Sequence, residues 1–223
     1  GDFGLRYGVL AGNSLLVAGI TASLAVALAV LLAYARRLGQ SPIVRAVNRL
    51  VALGYAVPGS VIAVGVLIPV TRLDHWLVAR WFDWFDTNPG LILTGGVAAL
   101  IYAYLARFLS ISLQTVESGL ARVTPNMEAA ARSLGCSAGT TLWRVHLPLL
   151  RGSLFTAALL VFIDVMKELP ATLVMRPFNF NTLATQVFTL ASDERLAEAS
   201  TAALAIVAAG LLPVLLLARQ LKR

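Results

Sequence analysis

The stretch EAAARSLGCSAGTTLWRVHLP, residues 128–148, is a polar-to-amphipathic island between two long apolar runs. Just ahead of it, Thr124 can cap a helix with Pro125 at its first position. Leu134 ends that helix, and Gly135 supplies the left-handed residue that closes it. Ser137 caps a second short helix, expected to stop before Pro148. Leu142, Val145 and Leu149 fall on one face of it, while Arg144 and Arg151 stay polar. Two short helices joined at a glycine make a rigid, angled element that transmits displacement rather than absorbing it. It reads as a docking surface for another protein, carried by a domain that otherwise lives in lipid.

The rest of the chain supports the lipid half of that statement. Of 223 residues, 58% are hydrophobic and 13% charged, where a soluble domain carries about 25% charged residues. A membrane span needs about 20 mostly apolar residues. Five runs qualify, at residues 14–35, 51–70, 91–109, 153–175 and 200–218. None alternates with period two, which argues against an outer-membrane barrel. The expectation is therefore one all-α membrane domain over residues 1–223, a five-helix bundle with a polar loop at 121–150. The single cysteine, Cys136, excludes an internal disulfide. Gly rather than Met at position 1 reads as a fragment boundary.

The net charge of +7 is unevenly spread. When loops are assigned alternately to two sides, one side collects Arg36, Arg37, Arg45, Arg49, Arg107, Arg122, Arg132, Arg144, Arg151, Arg219, Lys222 and Arg223, against Glu117 and Glu128. The other side collects Arg6, Arg72, Arg80, Arg176 and Arg195, against a larger number of acids including Asp2, Asp74 and Asp83. Basic loops mark the cytoplasmic face. The N-terminus is then outside, the C-terminus inside, and residues 110–152 cytoplasmic. Topology accounts for these arginines without nucleic acid as a partner.

Two spans carry features an inert helix would not. Pro58 and Gly59 interrupt the second, where they break or kink a helix. Asp164, Lys167 and Glu168 interrupt the fourth, followed by Pro170. Each charge costs about 2.5–3.5 kcal/mol at the bilayer centre, so these side chains face a bundle interior or a wet cavity. Asp164 and Lys167, three apart, can pair on one helix face, which leaves Glu168 in need of a separate partner. Two readings stay open: a transport pathway or gate, and a structural ion pair near the outer surface. Residues 71–89 carry Trp76, Trp81, Phe82, Trp84 and Phe85 among charges, the pattern of an interfacial helix.

The polar island resembles the cytoplasmic signature of binding-protein-dependent ABC importer permeases of the type I, MetI-like kind. That signature runs Glu-Ala-Ala, three residues, Gly, nine residues, Ile, one residue, Leu-Pro. Counted from Gly135, Val145, Leu147 and Pro148 take the last three marked positions, and Ala130 and Ala131 the two alanines. The glutamate position falls on Ala129, with Glu128 one residue before it. The resemblance implies that Glu128, Ala129, Ala130, Ala131, Gly135, Ser137, Leu142, Val145, Leu147 and Pro148 form a coupling helix seated on a separate ATP-hydrolysing subunit. It further implies two such subunits carrying ATP and Mg²⁺, a second permease domain (a copy, a paralogue or a fused half), and a periplasmic or lipid-anchored binding protein. Residues 76–85 and 176–198 are the exposed candidates for meeting that binding protein. Pro58, Asp164, Lys167, Glu168 and Pro170 are the pathway candidates. The location implied is the bacterial inner membrane.

The chain has no ATP site of its own. A phosphate-binding loop needs Gly-x-x-x-x-Gly-Lys-[Ser/Thr], and neither of its lysines, Lys167 and Lys222, follows glycine. Residues 168–172, 176–185 and 192–199 resemble the ferric-iron branch of the family, with thiamine-type permeases sharing parts of them. Iron(III) prefers oxygen ligands, and the spans hold no carboxylate cluster at ligand spacing, so no tight metal site is expected. Two rival classes remain: an intramembrane hydrolase built on Ser60 with a histidine, and an ion-coupled secondary transporter, which often shows an internal repeat.

Overall fold

The computed structural model describes residues 2–39 and 41–221, without the side chains of residues 2–5, 212–214 and 216–221. Gly1, Lys222 and Arg223 lie outside the described residues, as do the side chains of Asp2 and Arg219. Among the described residues the chain is all helix and turn: α1 (Asp2–Leu38), α2 (Pro42–Leu53), α3 (Gly59–Phe85), α4 (Ala98–Leu120), α5 (Pro125–Ser133), α6 (Ala138–Thr141), α7 (Leu147–Met166), α8 (Pro170–Met175), α9 (Leu183–Ser192) and α10 (Leu196–Leu221). A 3₁₀ turn at Gly54–Ala56 follows α2, and a π-helical turn at Leu142–His146 joins α6 to α7.

The centre is α1, α4 and α7, each packed on the other two. Their approach has a sequence cause. Ala18, Ala22, Ala25, Ala29 and Ala33 run down one face of α1 at helical spacing, and all are buried. Small side chains let helix backbones come close, which is how helices associate in lipid without a hydrophobic drive between them. Leu15, Leu16, Ile20, Leu24, Leu28 and Leu31 cover the opposite, exposed face. Apolar residues all round mark a helix that is not in water. One core cluster gathers Ala18, Ala22, Leu100, Tyr104, Phe108, Val161 and Leu183. A second gathers Ala29, Ala33, Leu113, Val116, Leu120, Leu150 and Ala157 towards the end that carries α5 and α6.

Among the described residues, four stretches are long and apolar enough to cross a membrane: Arg6–Leu38, Gly59–Phe85, Ala98–Leu120 and Ala138–Met166. Within α10, the stretch Leu196–Leu211 is apolar but shorter. The helix bounds differ from the apolar runs in instructive ways. Pro58 does not kink a helix at 51–70. Val57 and Pro58 are extended, and the chain starts afresh at Gly59, because the residue before a proline disfavours helix. The aromatic residues 76–85 form the last turns of α3 rather than a separate surface helix. The third span begins only at Ala98 and runs on to Leu120, with Gly95 and Gly96 in the irregular stretch before it. Residues 176–182 are tied back to α1, where Asn13 Nδ2 donates to the Asn181 carbonyl and Ser14 Oγ accepts from Leu183 N.

Asp74 departs furthest from its expected place among outer surface charges. It is fully buried on α3. Its carboxylate accepts from the backbone N–H groups of Ile92, Leu93 and Thr94 and from the Thr94 hydroxyl, at 2.6–3.0 Å. Irregular backbone beside a membrane bundle needs partners for its N–H groups, and one carboxylate supplies them here.

Candidate functional site

Two polar joints organise the molecule, one at each end of α7. The first fastens the polar island to the bundle. α5 begins at Pro125 and closes on Gly135, whose φ is +81°. Gly135 N donates to the Arg132 carbonyl and Cys136 N to the Ala131 carbonyl, the paired bonds of a glycine-terminated helix. Ser137 then caps α6 by accepting from Thr140 N. Thr124 holds the capping conformation at the start of α5 with no side-chain bond.

The second short helix does not stop before Pro148. It passes through the π turn at Leu142–His146 into α7, with Pro148 in the first turn of that helix. Proline's ring clashes with the carbonyl four residues back in a regular α-helix. A π turn displaces that carbonyl, so the rod continues. α6 and the fourth span are therefore one continuous body.

Arg37, in the last turn of α1, holds the island in place. Its Nε donates to Glu128 Oε1, Nη1 to the Leu120 carbonyl and Nη2 to the Val123 carbonyl. The Leu120 carbonyl ends α4 and the Val123 carbonyl lies in the turn just beyond it, where the negative end of the helix dipole favours a cation. Nearby, fully buried His146 places Nε2 3.2 Å from Glu128 Oε1. The Tyr34 ring meets the His146 ring edge-on, and the Tyr34 hydroxyl donates to the Ala138 carbonyl at 2.8 Å. Glu128 thus faces inward. Ala131 is buried too, and Leu142, Val145 and Leu147 are half-buried. Ala129, Ala130, Gly135, Ser137 and Pro148 stand exposed, with Leu134 and Trp143 the most prominent apolar groups beside them.

The second joint lies where α7 ends. Lys167 and Asp164 pair at 2.8 Å on one helix face, as their spacing requires. Glu168 finds the partner it needs in Arg107, Nη1 to Oε1, at 2.8 Å. Arg107 was expected with the basic loops; it sits within α4 instead. Glu168 Oε1 also accepts from Ala171 N. Pro170 has no N–H to offer, so Ala171 carries the first free donor of α8. The Thr172 hydroxyl donates to the Glu168 carbonyl at 2.6 Å, so the Tyr104 hydroxyl, 2.6 Å away, donates to Thr172. Gly59, at the start of α3, presses on the ion pair. A Cβ there would collide with Arg107 Nη1 and Glu168 Oε1. Pro58 and Pro170 are exposed beside this joint.

Sequence reasoning reached Glu128, Gly135, Ser137, Asp164, Lys167 and Glu168 but missed Arg37, Arg107, His146 and Gly59 as members of joints. Arg107 carried a signal. It is a cation within a helical apolar run, and an unpaired charge there demands an opposite one. Arg37 carried none, because its use for topology hid its use for structure. Ser60, the nucleophile of the hydrolase alternative, shares a helix with His75 but lies about 22 Å from it along the axis. Among the described residues, no three His, Cys, Asp or Glu gather closely enough to hold a metal ion.

The family described as "Binding-protein-dependent transport system inner membrane component" matches residues 19–223. The Fe(3+)-transport system permease protein FbpB 2 of Haemophilus influenzae is 29% identical over 205 residues, covering 92% of this chain and 37% of that protein. A putative 2-aminoethylphosphonate transport system permease protein, PhnV, of Salmonella typhimurium is 31% identical over 139 residues, covering 62% of this chain and 52% of that protein. This chain therefore spans roughly a third to a half of the relatives' lengths. The fold matches the crystal structure of a bacterial ABC transporter involved in import of the acidic polysaccharide alginate, with TM-score 0.73, 14% identity, and coverage of 96% of this chain and 78% of that one. A second alginate transporter structure, in complex with an alginate pentasaccharide-bound periplasmic protein, matches with TM-score 0.67 and 13% identity over 93% of this chain and 75% of that one.

Proposed function

Because the chain belongs to the family of binding-protein-dependent transport system inner membrane components, we propose that it is the permease of an ATP-driven importer and works by alternating access. Residues 121–150 face the cytoplasm and dock on a separate ATPase subunit, one of two that bind ATP and Mg²⁺. A second permease domain completes the passage, and a binding protein on the outer face delivers the cargo. The N-terminus lies outside and the C-terminus inside the bacterial inner membrane. Ferric iron and 2-aminoethylphosphonate, named for the relatives, are the cargo candidates.

The observation that carries this reading is the unbroken path from α6 through the π turn into α7, tied to α1 by the Tyr34–Ala138 hydrogen bond, with the preceding α5 bolted to α1 by Arg37. Force applied to such an element moves two central helices together, since packed interiors transmit strain. The docking contacts fall to the exposed groups, Ala129, Ala130, Leu134, Ser137, Trp143 and Pro148, while Glu128 is engaged internally. Two measurements test it. Trp143→Asp with Leu134→Asp should abolish co-purification with the partner ATPase while the permease still folds. Uptake into proteoliposomes should require ATP and that ATPase. Uptake driven by an ion gradient alone would hand the case to the secondary transporter.

A further inference from the structure

The four charges at the break after α7 are not equally presented. Lys167 has 62% of its side chain exposed and Arg107 21%, while Asp164 has 14% and Glu168 7%. In each pair the cation is the more exposed partner. Both carboxylates are also occupied, Asp164 by Lys167 and Glu168 by Arg107 and Ala171 N. Lys167 spends one of its three ammonium donors on Asp164, which leaves two for another partner. Tyr55, half of whose surface is exposed, sets its ring 6.3 Å from that of Phe108, the residue after Arg107, and brings a hydroxyl to this side of the bundle.

We propose that this patch receives an oxyanion, so that the cargo passes either as a free organophosphonate or as iron(III) enclosed in oxyanion ligands, not as a bare metal cation. The proposal rests on the reading that this face lines the passage. A bare trivalent iron needs accessible oxygen donors and would meet an ammonium first. A phosphonate or an iron-bound oxyanion meets charge-assisted donors, the stronger class of hydrogen bond. The paired carboxylates then serve to hold Lys167 and Arg107 in position rather than to take up the cargo.

The test uses the assembled transporter with its binding protein and ATPase, in a Cys136→Ala background with Tyr55→Cys as the reporter. An anionic thiosulfonate reagent carrying a sulfonate should modify position 55 at least tenfold faster than one carrying a trimethylammonium. Lys167→Glu should abolish or reverse that preference. A reagent preference absent with Lys167 in place, or unchanged by Lys167→Glu, overturns the proposal while leaving the passage intact. Failure of both reagents to react overturns the passage reading along with it. Uptake then separates the sources. Lys167→Gln should lower ATP-dependent uptake at least tenfold, for labelled 2-aminoethylphosphonate if the cargo is a free oxyanion or for iron-55 supplied with citrate if it is a chelate. Undiminished uptake of both sinks the idea.

Discussion

Arg37 and Arg107 each reach from a central helix to a glutamate on a later segment, yet their surroundings differ in kind. Arg37 spends three nitrogens on Glu128 and two carbonyls at and just beyond the end of α4. Arg107 spends one nitrogen on Glu168, leaves its buried Nε without a partner, and lies with its guanidinium 5.4 Å from the Phe108 ring. The first arrangement is a bolt with several bonds that must break together. The second is a single bond at a point where the backbone is already interrupted, with glycine on one side and proline on the other. On the proposed function, the rigid joint is the one that would take up force from the ATPase, and the weaker contact is the one that would rearrange with the passage.

The contrast breaks most clearly at Glu168. Glu168→Ala leaves the Arg107 charge uncompensated and α8 without its carboxylate, and loss of one partner of a buried pair costs about 3–5 kcal/mol. Uptake should fall by more than tenfold while co-purification of the ATPase is retained; normal uptake would remove Glu168 from the gate. Arg37→Ala comes next. A bond to a charged donor contributes about 1.5–3 kcal/mol, and with several lost the island should detach from α1. The expected signature is ATP hydrolysis that persists without uptake, with faster proteolysis around Gly135. Arg37→Lys should rescue only in part, because an ammonium lacks the planar fork. If hydrolysis and uptake fall together, the bolt is not what couples them.

Gly59→Ala sharpens the comparison from the steric side. Both atoms its methyl would meet are the ends of flexible side chains, so the backbone survives and the Arg107–Glu168 contact yields. A cost of about 1–3 kcal/mol is expected, read as a lower midpoint of thermal unfolding. The same substitution in an Arg107→Ala background should cost measurably less. An equal cost in both backgrounds would show that Gly59 is needed for something other than this pair. Gly135→Ala is the mildest. Nothing lies within 4 Å of a Cβ there, so only the left-handed backbone is penalised, by about 1–2 kcal/mol, a small shift in the same melting measurement.

What was legible in the chain follows from local chemistry. Proline and glycine rules placed Pro125, Gly135 and Ser137 correctly, because capping depends on a few adjacent residues. The Asp164–Lys167 pair was legible for the same reason, since three positions apart on a helix is a distance sequence already contains. The helix limits at 51–70 and 91–109 were less legible, because apolar composition marks what lipid tolerates and not where backbone hydrogen bonds begin.

The amino-acid order alone determined that this chain is a bundle of apolar helices carrying a bent polar element, and it did so through composition and spacing. Only the tertiary structure decided which arginine meets which glutamate, that Glu128 turns inward, and that Asp74 is a buried anchor. Those outcomes join residues tens of positions apart, and no local rule assigns a partner to a charge across such a gap. Helix packing does, because small residues such as Ala18 and Ala22 bring particular turns into contact and a charge without water must bind whatever that contact delivers.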